Sequence, residues 1–316
     1  HEPVLLLIAD NSNYLRVLAE SKNGRGLFYR WPQDIRSQIA QERESFKNIW
    51  GFLPSGFMPF GGFLDGPSAK ALSHSNVQLV FCGSPHPDGE PAAKTKRYDF
   101  VFASDEANRL IYDASPPQTE DERFKPSNTP KLFIFDEPYL NESNIRLERK
   151  LSEVVASLDG QDAVYLMPEE FIQNNKVAMS FMDFVNVPLG SWRGDNLSCW
   201  IGEPEEDAAW EMLSKARHAV EEYKNSGKAD IRRLDSAMQE IYLAGSNTYF
   251  YYFGEDKTGP DDQRLDQMFR AGLMNIYRLI KQTPPEELYQ PVALFRGSYA
   301  GLGRQDVSFE KGLDFA

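Results

Sequence analysis

The sequence is poor in the residues that build metal sites and disulfide frameworks. It has 2 cysteines and 4 histidines in 316 residues. Cys82 and Cys199 lie far apart, and their apolar neighbours favour two half-buried thiols over a disulfide. No histidine spacing resembles a zinc helix or a zinc finger. The sequence therefore predicts no metal site and indicates no cofactor.

Basic residues and long apolar runs are also scarce. Lys and Arg number 34 against 47 Asp and Glu, so the formal net charge is −13. Nucleic-acid affinity rests mainly on clusters of Lys and Arg, and we therefore expect no nucleic-acid partner. No apolar run approaches the ~20 residues that span a bilayer, so we expect no membrane span. The chain begins at His1 without a basic leader, which we interpret as a mature or trimmed chain of unknown compartment.

What the sequence does contain is an alternation of two patterns. Apolar runs of strand length, bounded by Gly, Pro, Asp or Asn, occupy residues 4–9, 77–82, 99–103, 132–135 and 163–167. Between them lie segments with helical spacing, such as 34–50 and 143–158. Continuous apolar strands separated by helices are typical of an α/β protein with a parallel sheet or barrel inside and helices outside.

The pattern changes after about residue 175. Three amphipathic helices are predicted at 205–225, 229–244 and 262–282, with proline and glycine as punctuation. The last residues have little periodicity. We therefore predict three parts: a partial barrel over 1–175, a helical subdomain over 176–292 and an irregular tail over 293–316.

One strand end carries two carboxylates. The stretch K-L-F-I-F-D-E-P-Y, residues 131–139, runs from a buried strand directly into Asp136 and Glu137. The carboxyl ends of parallel barrel strands are where such enzymes place their chemistry. Asp also commonly opens a loop by bonding its backbone, so position alone leaves both interpretations of Asp136 open.

Several motifs, in order along residues 30–292, together resemble glycoside hydrolase family 57. They are R-W-P-Q-D-I-R-S-Q-I, W-G-F-L-P-S-G-F-M-P-F-G-G-F-L-D, F-I-F-D-E-P-Y, G-S-W-R-G-D-N-L-S-C-W-I-G-E-P-E-E-D-A-A-W-E-M-L and A-G-S-N-T-Y-F-Y-Y-F-G-E-D. The resemblance implies a seven-stranded incomplete (β/α) barrel with a C-terminal helical region, acting on α-glucans by a retaining mechanism. The family's first barrel strand, with its His-Gln-Pro signature, is missing ahead of residue 1. We therefore also consider a protein partner or a lost N-terminal segment that completes the barrel.

The resemblance assigns roles to individual residues. Asp136 falls on the family's acid/base position, whereas Gly61 falls where the family has its nucleophilic Glu. A retaining glycosidase needs two carboxyl groups ~5–5.5 Å apart, and glycine offers none. Further polar positions of the family are occupied here by Ala103, Ser104, Asp105, Gly245 and Thr248. The catalytic centre is therefore predicted to be degenerate, with Asp65 or Glu137 as the alternative nucleophiles.

Aromatic residues supply candidates for sugar binding. Tyr251 and Tyr252 lie in the run T-Y-F-Y-Y-F, and Trp192 and Asp195 resemble positions near the family's cleft. Sugars stack on aromatic faces while polar groups bond their hydroxyls. Five consecutive aromatic residues cannot all face one cleft, however, so most of this run is expected to pack in the core.

Three functions remain open from the sequence. The first is a degenerate family 57-like protein that serves as a carbohydrate-binding or scaffolding module. The second is an active α-glucan hydrolase or transferase with Asp136 as acid/base and a non-standard nucleophile. The third is a metal-dependent deacetylase-like barrel, which the missing ligand spacing disfavours. A scaffold would fill its cleft with side chains such as Phe60 and Phe63.

Overall fold

The computed structural model describes residues 3–12, 28–54, 56–75, 77, 79–82, 92–94, 99–102, 152, 156, 167, 170, 180–181, 197–254 and 261–292. Helices dominate this part of the chain. Their bounds are α1 Leu5–Asp10, α2 Pro32–Trp50, α3 Gly66–Ser73, α4 Pro204–Asn225, α5 Ile231–Ala244, α6 Asn247–Phe253 and α7 Asp262–Leu279. Short 3₁₀ turns lie at Phe60–Gly62, Leu197–Cys199 and Glu286–Tyr289. No described helix combines the length and the apolar character that crossing a bilayer requires.

The described strands form one mixed sheet. They are β1 Gly56–Phe57, β2 Leu79–Cys82, β3 Ala92–Lys94, β4 Asp99–Phe102 and β5 Ser180–Phe181, in the order β1-β2-β4-β3-β5. The pairs β1 with β2, β2 with β4 and β3 with β5 are parallel, as the alternation predicted. Strand β3 is antiparallel to β4. The two strands are separated by four residues in sequence, which is fewer than the crossover of a parallel pair requires.

Local signals in the sequence fix the bounds of the long helices. Helix α2 has Pro32 in its first turn and ends at Gly51, whose φ of 83° favours glycine. Helix α4 likewise starts at Pro204, and its first turn carries Glu205, Glu206 and Asp207, which stabilise the positive end of the helix dipole. The predictions of helices at 34–50, 205–225, 229–244 and 262–282 are confirmed to within a few residues.

The first apolar run is a helix, not a strand. The prediction of a strand at residues 4–9 is wrong, because Leu5–Asp10 forms α1. The other strand predictions at 77–82 and 99–103 are confirmed by β2 and β4. Those at 132–135 and 163–167 lie outside the described residues, apart from Met167.

One hydrophobic core joins helices from the beginning and the end of the chain. Ile8 of α1, Ile35 of α2, Leu72 of α3, Leu213 of α4 and Leu273 of α7 are all buried in it. Strand β5 follows closely after the predicted boundary at residue 175. The division into 1–175, 176–292 and 293–316 itself remains a prediction.

The N-terminal residues also touch the helical region directly. Pro3 forms an antiparallel bridge with Ser246. A Cβ atom at Gly245 would lie 3.1 Å from the Ile8 Cδ1 atom, which is closer than an ordinary contact. Glycine at this position therefore allows α1 to pack against the junction of α5 and α6.

Candidate functional site

The family resemblance assigned the position of the nucleophile to Gly61. This residue lies after β1, in a segment that the structure describes. The chain passes from Phe57 through Pro59 into the 3₁₀ turn Phe60–Gly62. Gly62 has a φ of 70°, a value that favours glycine. The turn thus lies at the carboxyl end of a strand that pairs in parallel, the edge at which α/β barrels place their chemistry.

Aromatic side chains occupy the surroundings of this turn. The Phe60 ring meets the Trp200 ring edge-to-face at 5.7 Å between centroids, and the Phe63 ring does so at 5.5 Å. Phe63 and Trp200 are buried and Phe60 is half-buried. Trp200 therefore packs against the turn that carries Gly61.

Asp65 lies at the start of α3 and caps this helix. The Asp65 Oδ1 atom accepts hydrogen bonds from the Ser68 backbone N–H at 2.8 Å and from the Ser68 hydroxyl. The Ser68 Oγ atom in turn accepts a bond from the Asp65 backbone N–H at 3.0 Å. These reciprocal bonds form a capping box. They give the buried Asp65 carboxylate a structural role, and its role as a replacement nucleophile remains a prediction.

A stack of aromatic rings leads from Trp200 to helix α6. The Trp210 indole N–H donates to the Trp200 carbonyl oxygen at 2.9 Å. The Trp210 and Phe250 rings are stacked with centroids 3.9 Å apart and an angle of 10° between their planes. Phe250 and Phe253 are buried, so the expectation that most of the aromatic run packs in the core is confirmed for these two residues.

Tyr251 and Tyr252 differ in their exposure. Tyr251 is half-buried against the core, whereas 37% of Tyr252 is exposed. Their rings meet edge-to-face at 5.2 Å between centroids. Tyr252 therefore presents an aromatic surface to solvent, and Tyr251 supports it from the side.

Two of the buried indoles differ in how their N–H groups are satisfied. The Trp210 N–H has the Trp200 carbonyl as acceptor. The buried Trp200 Nε1 atom has no hydrogen-bond partner within the part of the chain that the structure describes. An unpaired buried donor costs about 1–3 kcal/mol. Trp200 therefore contributes to the fold through its ring contacts.

The sequence analysis missed a buried ionic cluster near Trp210. The Arg217 guanidinium on α4 bonds the Asp34 carboxylate on α2 through two nitrogens, at 2.9 and 3.1 Å. The Tyr29 hydroxyl donates to the same carboxylate at 2.7 Å, and the Tyr29 ring contacts Trp210 edge-on at 5.9 Å. The guanidinium carbon of Arg217 also lies 3.9 Å from the centre of the Trp31 ring.

Electrostatics hold this cluster in one protonation state. Burial raises the pKa of the Tyr29 hydroxyl well above its ordinary value of 10.0, and the Asp34 charge raises it further. Burial by itself would lower the pKa of Arg217, but the hydrogen bonds and charge of Asp34 outweigh burial and raise it. Tyr29 therefore stays neutral and Arg217 stays charged near neutral pH. Such a cluster fixes helices relative to each other and is not suited to exchanging protons.

The only faint signal for this cluster lay in the motif R-W-P-Q-D-I-R. Asp34 in the first turn after Pro32 is explained by the helix dipole alone, so nothing in the sequence identified Arg217 as its partner. The two residues are 183 positions apart. Pairings at this separation cannot be derived from local spacing.

Four of the predicted site residues lie outside the described residues, namely Asp136, Glu137, Trp192 and Asp195. Cys199 is half-buried, and the Cys82 side chain is also outside them. Among the described residues, no group of three His, Cys, Asp or Glu side chains could hold a metal ion. The structure brings together Gly61, Phe60, Phe63 and Trp200, and it places Asp65 at the following helix start.

Comparisons with known proteins identify the fold. No protein-family model and no curated protein sequence matches the chain. The structure resembles a family 57 branching enzyme from the hyperthermophilic archaeon Thermococcus kodakaraensis, with a TM-score of 0.56 and 12% identity, over 88% of this chain and 64% of that chain. It also resembles a family 57-type branching enzyme from the hyperthermophilic archaeon Pyrococcus horikoshii, with a TM-score of 0.50 and 12% identity, over 83% and 70% of the two chains.

The similarity to these two branching enzymes is limited in length and in sequence identity. The chain spans less than two thirds of the length of the Thermococcus enzyme. At 12% identity the similarity concerns the fold and not the chemistry. The resemblance found in the sequence motifs is confirmed at this level: the chain has a glycoside hydrolase family 57-like fold.

Proposed function

We propose that this chain is a family 57-like protein with a degenerate catalytic centre, which serves as a carbohydrate-binding or scaffolding module and does not cleave glycosidic bonds. The observation that carries the proposal is the turn after β1. The position expected for the nucleophile is Gly61, and the neighbouring Phe60 and Phe63 pack against Trp200. In this proposal, aromatic packing replaces the carboxylate that retaining chemistry would need.

The nearby acidic residues support the same conclusion. Between Gly56 and Ser75 the sequence contains one carboxylate, that of Asp65. Its Oδ1 atom accepts two hydrogen bonds from Ser68 at the start of α3. A nucleophile must be free to form a bond to the sugar, and misplacement by ~1 Å costs about 100-fold in rate. Attack through the Oδ1 atom would require Asp65 to give up its cap.

The proposed ligand is an α-glucan. Both similar structures are described as branching enzymes, and the Thermococcus crystal contains glucose. In the present chain, the exposed ring of Tyr252 beside Tyr251 offers a surface on which a sugar ring can stack. Trp192 and Asp195 are proposed to complete the binding surface with a second aromatic face and a hydrogen-bond acceptor.

We further propose that the fold is an incomplete (β/α)7-type barrel with a C-terminal helical subdomain. The mixed sheet, with its parallel pairs, precedes residue 182, and the helices α4–α7 follow residue 203, which supports this division. In this arrangement a scaffolding role, with a protein partner or a preceding segment that completes the barrel, is the alternative to carbohydrate binding.

The test combines turnover with binding. Hydrolysis and branching of maltooligosaccharides and starch are assayed with the wild type and with Asp136→Asn and Asp65→Asn. Binding is measured by affinity electrophoresis in glycogen gels and by calorimetry with maltoheptaose. We expect binding without turnover. Because stacking on one aromatic ring contributes about 1 kcal/mol, Tyr252→Ala should weaken binding about five-fold.

A matched control is Tyr289→Ala, which removes another exposed tyrosine, 53% accessible, from the turn Glu286–Tyr289. Its affinity should equal that of the wild type. Turnover that Asp136→Asn abolishes would overturn the proposal and establish an active enzyme with a displaced nucleophile. A folded wild type that neither binds nor cleaves glucan would overturn the carbohydrate role and leave the scaffold.

A further inference from the structure

The end of helix α2 carries apolar side chains that the core does not use. The N-terminal half of α2 is buried through residues such as Ile35 and Ile39. The final turns and the loop after them expose apolar groups, with exposed fractions of 74% for Ile49, 65% for Trp50, 60% for Phe52 and 44% for Leu53. We refer to these four residues and the half-buried Phe46 as the apolar helix end.

These side chains form one continuous surface. The Phe46 ring lies 6.1 Å from the Trp50 ring and 5.4 Å from the Phe52 ring, centroid to centroid. Ile49 is one helical turn beyond Phe46 on the same side of α2. Phe46 therefore connects the exposed residues of the helix with those of the loop.

The surface is held in a fixed shape. Gly51 ends α2 with a left-handed backbone, and its N–H bonds the Lys47 carbonyl. The Arg43 guanidinium then donates to the Pro54 carbonyl at 3.2 Å and to the Ser75 carbonyl at 2.7 Å. The loop that carries Phe52 and Leu53 is thereby tied to both α2 and the end of α3, so a partner would meet a preorganised surface.

The apolar helix end also lies in a stretch of sequence without charged residues. The chain carries a net charge of −13, yet no charged residue occurs from Asn48 to Leu64. On the preceding turns of α2, the charged side chains of Glu44 and Lys47 lie 3.6 Å apart and compensate each other. Two copies of an acidic protein repel each other over most of their surfaces, and this face is free of that repulsion.

The exposed area matches the centre of a protein interface. Large apolar side chains cover ~150–250 Å² each when fully exposed, so the exposed fractions of the two aromatic and two aliphatic residues together correspond to about 500 Å². This lies at the upper end of the ~300–600 Å² found for the largest apolar patch of ordinary monomers. A stable interface buries ~800 Å² per partner. An apolar centre of this size would supply part of that area, and a polar rim would supply the remainder.

We propose that the apolar helix end is a self-association surface, on which a second copy of this chain docks about a two-fold axis. Symmetric dimers are the commonest oligomers, and they use one surface twice. The aliphatic groups of Ile49 and Leu53 suit a protein partner better than a sugar, which stacks on aromatic faces beside hydrogen-bonding groups.

Sedimentation velocity and light scattering over about 1–100 µM protein test this proposal. The wild type is expected to have twice the mass of a single chain. The double variant Ile49→Glu, Trp50→Glu places four new charges in the interface of a dimer, and we expect the dimer to weaken at least about 100-fold. Because the contact is apolar and the net charges repel, added salt should not weaken the wild-type dimer.

The control is Ile231→Glu, which places a charge at the start of α5, where 75% of the native side chain is exposed. This variant should dimerise like the wild type, and circular dichroism confirms that all variants are folded. A monomeric wild type at every concentration overturns the proposal. So does a dimer that survives Ile49→Glu, Trp50→Glu. A monomer whose binding of maltoheptaose is lost in Trp50→Ser would assign the surface to glucan instead.

Discussion

Asp34 and Arg217 form a buried ion pair in which two guanidinium nitrogens meet both carboxylate oxygens. The pair joins the first turn of α2 to the middle of α4. Both side chains are almost fully buried, and Tyr29 and Trp31 complete their surroundings. The orientation of α2 relative to the helical region therefore depends on a contact between charges in the core.

Removing one member of this pair should destabilise the protein strongly. Asp34→Ala leaves the Arg217 charge buried beside a single remaining carboxylate, Glu221, so we expect a loss of about 3–5 kcal/mol in the free energy of unfolding. The measurement is urea denaturation followed by circular dichroism. The double variant Asp34→Leu, Arg217→Met removes both charges and should recover part of this loss. Equal losses in the single and the double variant would contradict this account of the pair.

Tyr29 should make stability depend on alkaline pH. Its folded-state pKa is raised by burial and by Asp34 above the ordinary value of 10.0. The folded state therefore retains a proton that the unfolded state releases. Its contribution to stability is complete below about pH 10 and falls as the pH rises from there toward the folded-state pKa. Tyr29→Phe should lose about 1–2 kcal/mol at pH 7 through the missing hydrogen bond.

The comparison between pH 7 and pH 11 isolates this effect. In Tyr29→Phe the decline of stability above pH 10 should be shallower than in the wild type, because the variant has no proton to lose at this position. Tyr242, Tyr249 and Tyr277 also have raised pKa values and keep part of the decline. An unchanged slope in the variant would mean that Tyr29 ionises equally in both states.

Two substitutions at Asp65 separate its capping role from a chemical one. Asp65→Ala removes the cap of α3 and should cost about 1 kcal/mol, whereas Asp65→Asn keeps a good capping residue and should cost much less. Thermal unfolding measures both. If any turnover of maltooligosaccharides is detected, Asp65→Asn should leave it unchanged. Loss of turnover in a variant of native stability would make Asp65 a nucleophile.

The paired indoles Trp200 and Trp210 allow a matched comparison. Replacing either by Phe removes one ring and one N–H group from the core. Trp210→Phe also leaves the Trp200 carbonyl without its donor and disturbs the stack with Phe250. Because the Trp200 N–H has no partner among the described residues, Trp200→Phe should cost about 1–2 kcal/mol less than Trp210→Phe. Equal costs in chemical denaturation would be evidence of an acceptor for Trp200.

The sequence predicted the long helices well and the short apolar runs less reliably. Helices α2 and α4 begin at prolines, and α2 ends at a glycine, so local chemistry fixed their bounds. A continuous apolar run is compatible with either a buried strand or a buried helix, and residues 4–9 form the helix α1. Strand β3 was not predicted, because Ala-Ala-Lys is not an apolar run of strand length.

The candidate site was predictable only in part. The motif around Gly61 indicated a segment that forms a 3₁₀ turn after β1, and the burial of Phe250 and Phe253 agreed with the expected packing of the aromatic run. The contact of Trp200 with Phe60 and Phe63 joins segments about 140 residues apart, and the Asp34 pair joins segments still farther apart. Such contacts arise from the tertiary fold, so no local pattern of residues encodes them.

The separation of Asp34 and Arg217 along the chain also delays the formation of their ion pair during synthesis. During synthesis Asp34 leaves the ribosome 183 residues before Arg217. At about 5–20 residues per second, this interval lasts roughly 10–40 s. Throughout it, the apolar residues of α1 and α2 lack the helices that cover them in the finished protein. The nascent chain is therefore expected to need protection by chaperones until α4 has emerged.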